Sequence, residues 1–135
     1  IKSNLDIFFI EYIRQSRNPD GTFKNAKSYA QERLEDLLEL IIDHITTKKQ
    51  VSQYADLLSL STYQLNAITR AAIGKPASEL INDQIILEAK RYLLATHNQV
   101  KDIADILGYE DISYFIRFFK KHTGYSPEVF RKNFK

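Results

Sequence analysis

Cysteine and methionine are both missing from this chain of 135 residues. Without cysteine there are no disulfides and no thiolate metal sites, which fits a reducing cytoplasm. A chain that starts at Ile1 with no methionine anywhere reads as a piece of something longer. Glycine is scarce, and Gly21, Gly74, Gly108 and Gly124 are scattered, so no glycine-rich loop exists to cradle a phosphate. No apolar run reaches the length of about 18 residues that a membrane span needs, and the start carries no signal-peptide pattern. His44, His97 and His122 show no paired metal-ligand spacing, so no metal and no cofactor is expected. Glu32, Glu35, Asp36, Glu39 and Asp43 can be drawn as paired acids for proton transfer. They project from one helix with no pocket-forming loop, and a solvated face accounts for them better. The chain is not expected to be an enzyme.

What is present is helix. A hydrophobic content of 44% and this length support one domain with a real core, or one domain with an appendage. From Val100 to Arg131 the sequence reads as helix, turn, helix, stop and helix. Val100, Ile103, Ala104 and Leu107 fall at i, i+3, i+4 and i+7, one face of a helix that Gly108 ends. Asp111 is placed to cap a second helix, which Gly124 stops; Ser126-Pro127 is an N-cap followed by proline at the first helical position. Two short helices joined by a turn of about four residues form the helix-turn-helix layout. In the second of these, Ile112, Phe115, Phe119 and His122 line one side, where the aromatic pair Phe115 and Phe119 belongs in the core and His122 at its edge or on the surface. Ser113, Ile116, Arg117, Lys120 and Lys121 lie mostly on the other. Short polar groups and arginine for base edges, with lysine for phosphates, suit a helix lying in a major groove. An amphipathic helix with a solvated basic face has the same pattern.

The unit occurs twice. Ala55-Asp56-Leu57-Leu58 matches Ala104-Asp105-Ile106-Leu107 at an offset of 49, and Gly74 matches Gly124 at an offset of 50. The second turn therefore has one extra residue. Ser61 and Gln64 form a capping-box pattern at the head of a helix that buries Leu65, Ile68 and Ala72. Its opposite side offers Thr62, Tyr63, Asn66, Ala67 and Arg70. Between the copies, a helix beginning at Pro76 and running over Ala77–Ala95 would be about 28 Å long. Paired half-sites on B-DNA are about 34 Å apart, so one stiff helix is expected to hold both recognition helices over successive grooves.

These residues match a known pattern. From about Ile41 to Phe134 the chain resembles the DNA-binding domain of the AraC/XylS family of bacterial transcription regulators. The resemblance rests on the run from Gly108 to Phe115, on Arg117, Phe119, Lys120 and Lys121, on Gly124-Tyr125-Ser126-Pro127, on Phe130-Arg131, and on a connecting helix containing Glu88-Ala89-Lys90-Arg91. It implies an all-α fold: two helix-turn-helix subdomains at about 51–73 and 100–123, a linker helix at 76–95, and a closing helix at 127–134. Residues 1–40 are then a helical extension preceding a DNA-binding domain at 41–135. By position the resemblance implies base contacts by Tyr63, Asn66 and Ala67 in copy one, and by Ser113, Tyr114, Ile116 and Arg117 in copy two. Arg70, Lys120, Lys121 and Arg131 are the expected phosphate contacts. Copy one departs from the family's usual pattern, which has a basic residue where Ala67 stands and an aromatic where Thr69 stands. The expected partner is a double-stranded DNA operator, with an effector-sensing domain in the full-length protein and a homodimer formed through that part. No membrane partner is expected. A helical protein-interaction module that keeps the fold without reading DNA is the alternative.

Charge distribution supports the first reading. The net charge is only +2. From Ile112 to Lys135, however, six cations face the single anion Glu128, while the first 50 residues hold eight of each sign. A basic end on a near-neutral body is an adequate phosphate-binding footprint. Upstream, Ser3–Gln15 reads as a helix with an apolar stripe of Leu5, Phe8, Phe9, Tyr12 and Ile13, suited to self-association. Asn18-Pro19-Asp20-Gly21 reads as a turn. A longer helix from near Ala26 to about Ile45 is expected to bury Ala30, Leu34, Leu37, Leu38, Ile41 and Ile45.

Overall fold

The computed structural model describes residues 25–135, with side chains from Tyr29 onward. The expected Ser3–Gln15 helix, its apolar stripe and the Asn18–Gly21 turn lie outside the described residues. Among those described there are seven helices and no strand: α1 (Asn25–His44), α2 (Val51–Leu57), α3 (Thr62–Ile73), α4 (Ala77–Ala95), α5 (Val100–Ile106), α6 (Ile112–Thr123) and α7 (Pro127–Phe134). The fold is all-α, with the two helix-turn-helix pairs α2–α3 and α5–α6.

The helices begin and end for local reasons. Ser61 Oγ accepts from Gln64 N at 3.0 Å while Ser61 N donates to Gln64 Oε1 at 2.9 Å, closing the capping box of α3. Asp111 Oδ1 accepts from Ser113 N at 2.9 Å at the head of α6, and Ser126 Oγ from Val129 N at 3.3 Å at the head of α7. Both recognition helices end at a left-handed glycine, Gly74 or Gly124. The turn inside each pair is the same structure built from different residues. Leu60 N donates to Ala55 O in copy one, and Tyr109 N to Ala104 O in copy two. Ser59 N donates to Asp56 O, and Gly108 N to Asp105 O. Ser59 holds φ at +59° where copy two has Gly108 at +87°. The extra residue of copy two is therefore Glu110, immediately after the matched turn.

The chain divides into two compact units. In the unit that contains copy one, α1 packs against α3, burying Leu34, Leu37 and Ile41 together with Tyr54, Ala55, Leu65 and Ile68. Helix α1 runs unbroken across residues 40 and 41, and buried residues of this unit lie on both sides of that expected boundary. Leu38 and Ala72, expected in the core, are half-buried. Glu35, expected on the solvated acidic face, is buried instead. Tyr54 is fully buried and donates its hydroxyl to Lys48 O at 2.6 Å; burial pushes its pKa up to about 12.

The unit that contains copy two is organised around Phe115 and Phe119, with Ala89, Leu93, Val100, Ile103, Ala104, Leu107 and Phe130. The Phe130 ring meets Phe119 edge-on at 5.5 Å, so α7 closes the same core that α6 enters. His122, at the edge of the side that holds Phe115 and Phe119, is exposed, and its ring lies 4.4 Å from the Phe118 ring. His122 lies one turn beyond Phe118, and Phe118 is at the edge of the apolar stripe rather than at its centre.

Candidate nucleic-acid interface

Each recognition helix presents a polar side fixed by a buried one. On α3, Leu65 and Thr69 are fully buried and Ile68 nearly so, which turns Thr62, Tyr63, Ala67 and Arg70 outward. Tyr63 is 83% exposed. On α6, burial of Phe115 and Phe119 turns Ser113, Tyr114, Arg117, Lys120 and Lys121 outward. Ile116 is half-buried against the core of its unit.

Among the described residues, no acidic side chain engages Arg117, Lys120, Lys121 or Arg70. Helix α6 contains no acidic residue, and Lys120 and Lys121 sit in its last turn, where the helix dipole favours positive charge. A donor that no carboxylate occupies is free for a phosphate or a guanine edge.

Tyr109 was not expected at the site, yet it braces it. Its ring is 5.9 Å from Tyr114, 5.2 Å from Phe115 and 6.3 Å from Phe118. Burial, with Tyr114 beside it, raises the Tyr109 pKa, so the phenol stays neutral. Tyr114 is thereby held on a ring already packed into the core. A signal for this did exist in the sequence, because Tyr109 matches Leu60 of copy one and so occupies an apolar position of the repeat.

Two expected contacts are engaged elsewhere. Arg131 Nε donates to Leu93 O at 3.0 Å, and its Nη2 is 3.3 Å from Thr96 O and 3.5 Å from Tyr92 O. Lys135 Nζ donates to Thr96 O at 2.6 Å. Two cations of the closing segment thus cover the carbonyl end of α4, the end at which orphan acceptors accumulate. Asn66 is half-buried, and its Oδ1 accepts from Ala77 N at 2.9 Å. The outward residues on α3 are therefore Thr62, Tyr63, Ala67 and Arg70, and on α6 Ser113, Tyr114, Arg117, Lys120 and Lys121.

The family model "Helix-turn-helix domain" matches residues 54–133, from within α2 to within α7 and so across most of both pairs and the helix between them. The chain belongs to the AraC/XylS family of helix-turn-helix domains. The chain is 32% identical over 108 residues to the bifunctional transcriptional activator/DNA repair enzyme AdaA of Bacillus subtilis (strain 168), covering 80% of this chain and 51% of that one. It is 31% identical over 100 residues to the arabinose operon regulatory protein of Escherichia coli (strain K12), covering 73% and 34%. The chain spans about half or less of the length of these relatives. Among solved structures, the C-terminal domain of the two-component response regulator yesN from Fusobacterium nucleatum aligns with a TM-score of 0.68 at 28% identity, over 74% of this chain and 98% of that one. As a member of this family the AraC/XylS-type chain binds DNA sequence-specifically, in the manner of a bacterial transcription regulator.

Proposed function

We propose that the chain is the operator-reading module of a longer cytoplasmic regulator, with α3 and α6 entering successive major grooves. The cations of α6, unopposed among the described residues and held outward by buried Phe115 and Phe119, are the observation that carries this reading. Arg117 is the principal base contact, through its paired N–H donors to guanine O6 and N7. Ser113 and Tyr114 read beside it, and the exposed edge of Ile116 meets a thymine methyl. In copy one Tyr63 and Ala67 face the bases. Lys120, Lys121 and Arg70 take phosphates. The single uninterrupted helix α4 between the copies supports reading of two half-sites by one chain.

An effector-sensing domain elsewhere in the full-length protein, and a homodimer formed through it, complete the proposal. No catalytic role belongs to this module in that reading; the repair activity in the name of AdaA is that protein's, of which this chain covers 51%. Among the described residues no helix is long and apolar enough to cross a membrane.

Selection from a randomised duplex pool tests the proposal. Enrichment of a bipartite site with halves about 10 base pairs apart is expected. Inserting five base pairs between the halves should turn one half to the opposite face of the duplex and remove most of the affinity. A pool that shows no enrichment supports a helical protein-interaction module instead.

A further inference from the structure

The two copies differ at a pair of positions that touch. In copy one the Asn66 side chain meets the backbone N–H of Ala77, the first residue of α4, at 2.9 Å. A backbone N–H only donates, so the atom it meets must be the amide oxygen. At the offset of 50 that aligns the recognition helices, Asn66 becomes Ile116 and Ala77 becomes Pro127. Proline has no N–H to give, and isoleucine has no acceptor to offer. The acceptor is present where the donor is present, and both are absent together.

The preceding residue shows the same exchange. Helix α7 is capped by its own Ser126, whose Oγ accepts from Val129 N. The matching position ahead of α4 is Pro76, which has no side-chain acceptor. An orphan N–H of the first turn of α4 is therefore satisfied from a different helix.

We propose that Asn66 is a positioning residue, a cap reaching across from the recognition helix that fixes α3 against the head of α4. Its amide oxygen is turned toward Ala77, whose side chain is fully buried. The oxygen is then not presented for the bidentate pairing with adenine that a base-reading asparagine needs. Base reading by α3 falls to Tyr63 and Ala67, and Asn66 sets the angle at which they are offered. The consequence for DNA rests on the operator-reading proposal above; the cap itself does not.

The test is a double-mutant cycle in the full chain with Asn66→Ile, Ala77→Pro and the pair, which rebuilds the combination of copy two. Asn66→Ile strands the Ala77 donor and Ala77→Pro strands the Asn66 oxygen. Each single change should lower Tm by about 4–8 °C. The pair should recover most of that loss, because neither stranded group remains. Asn66→Ile should also speed amide exchange at Ala77 by about tenfold. On the selected duplex Asn66→Ile should weaken binding by about three- to tenfold, with the base preference at every position unchanged, and the pair should restore it. Additive losses in the pair would overturn the proposal, as would unchanged exchange at Ala77 or an altered preference at one base pair. Should Ala77→Pro fail to fold at its buried position, Asn66→Ala still removes the acceptor without adding bulk, and the Tm and exchange readouts decide. If selection finds no operator, the DNA reading fails, while unfolding and exchange still decide whether the cap holds α3 to α4.

Discussion

Arg117 is exposed on α6 while both of its aromatic neighbours at i−2 and i+2, Phe115 and Phe119, are fully buried. The two phenylalanines fix the backbone from which the guanidinium reaches. Arg117→Ala should cost about 1–3 kcal/mol on the selected operator and flatten discrimination at one base pair. Equal weakening on random duplex would remove Arg117 from the base-reading group. Ser59 is a different kind of single-residue feature. It occupies a left-handed conformation that costs about 1–2 kcal/mol for a residue with a Cβ. Glycine relieves this and loses about 0.5–1 kcal/mol through the greater freedom of the unfolded chain. Ser59→Gly should therefore raise unfolding stability by about 0.5–1 kcal/mol, read from the denaturant midpoint. Copy two already has the relaxed residue, Gly108, at the matching place, so Gly108→Ser should shift the midpoint in the opposite direction.

Between elements, the closing helix α7 has a task that its basic composition does not announce. Arg131, with Lys135 just beyond the helix, donates to the last carbonyls of α4 and the residue after it, and Phe130 packs on Phe119. Charged donors to partly buried acceptors are worth about 1.5–3 kcal/mol, less where water competes. Arg131→Ala should lower stability by about 1–3 kcal/mol in urea unfolding. The slope of binding against salt should stay unchanged, because the guanidinium is already engaged with backbone carbonyls of its own chain. The helices themselves were legible from residue order: α3 opens at the Ser61–Gln64 box, α6 at Asp111 and α7 at Ser126-Pro127, all as read from spacing. Those signals act within four residues along the chain, the range over which sequence pattern and structure are tied directly.

Across the whole molecule, charge is concentrated where the structure has use for it. Of the six cations in the last 24 residues, Arg131 and Lys135 serve the fold, while Arg117, Lys120 and Lys121 face outward from α6. Lys120→Ala should reduce the slope of log affinity against log salt by about one unit, equally for operator and random duplex. An unchanged slope would take Lys120 off the phosphate list. The contrast with Arg131 would separate a cation that faces outward from α6 from one that donates to carbonyls of its own chain.

Residue order by itself determined the duplication, the helix-turn-helix pairs, their caps and the apolar faces of α5 and α6. Each of these depends on neighbours within a turn or two, or on a repeat visible as a fixed offset. Tertiary structure alone decided which polar groups were already occupied. Asn66 meets Ala77 across 11 residues, and Arg131 meets Leu93 across 38. Both looked from sequence like groups free to meet DNA. The same holds for Glu35, buried against the helical pattern. Hydrophobic periodicity ranks faces by average polarity. A hydrogen bond is settled by where a single partner atom stands in space, and only the packed helices put it there.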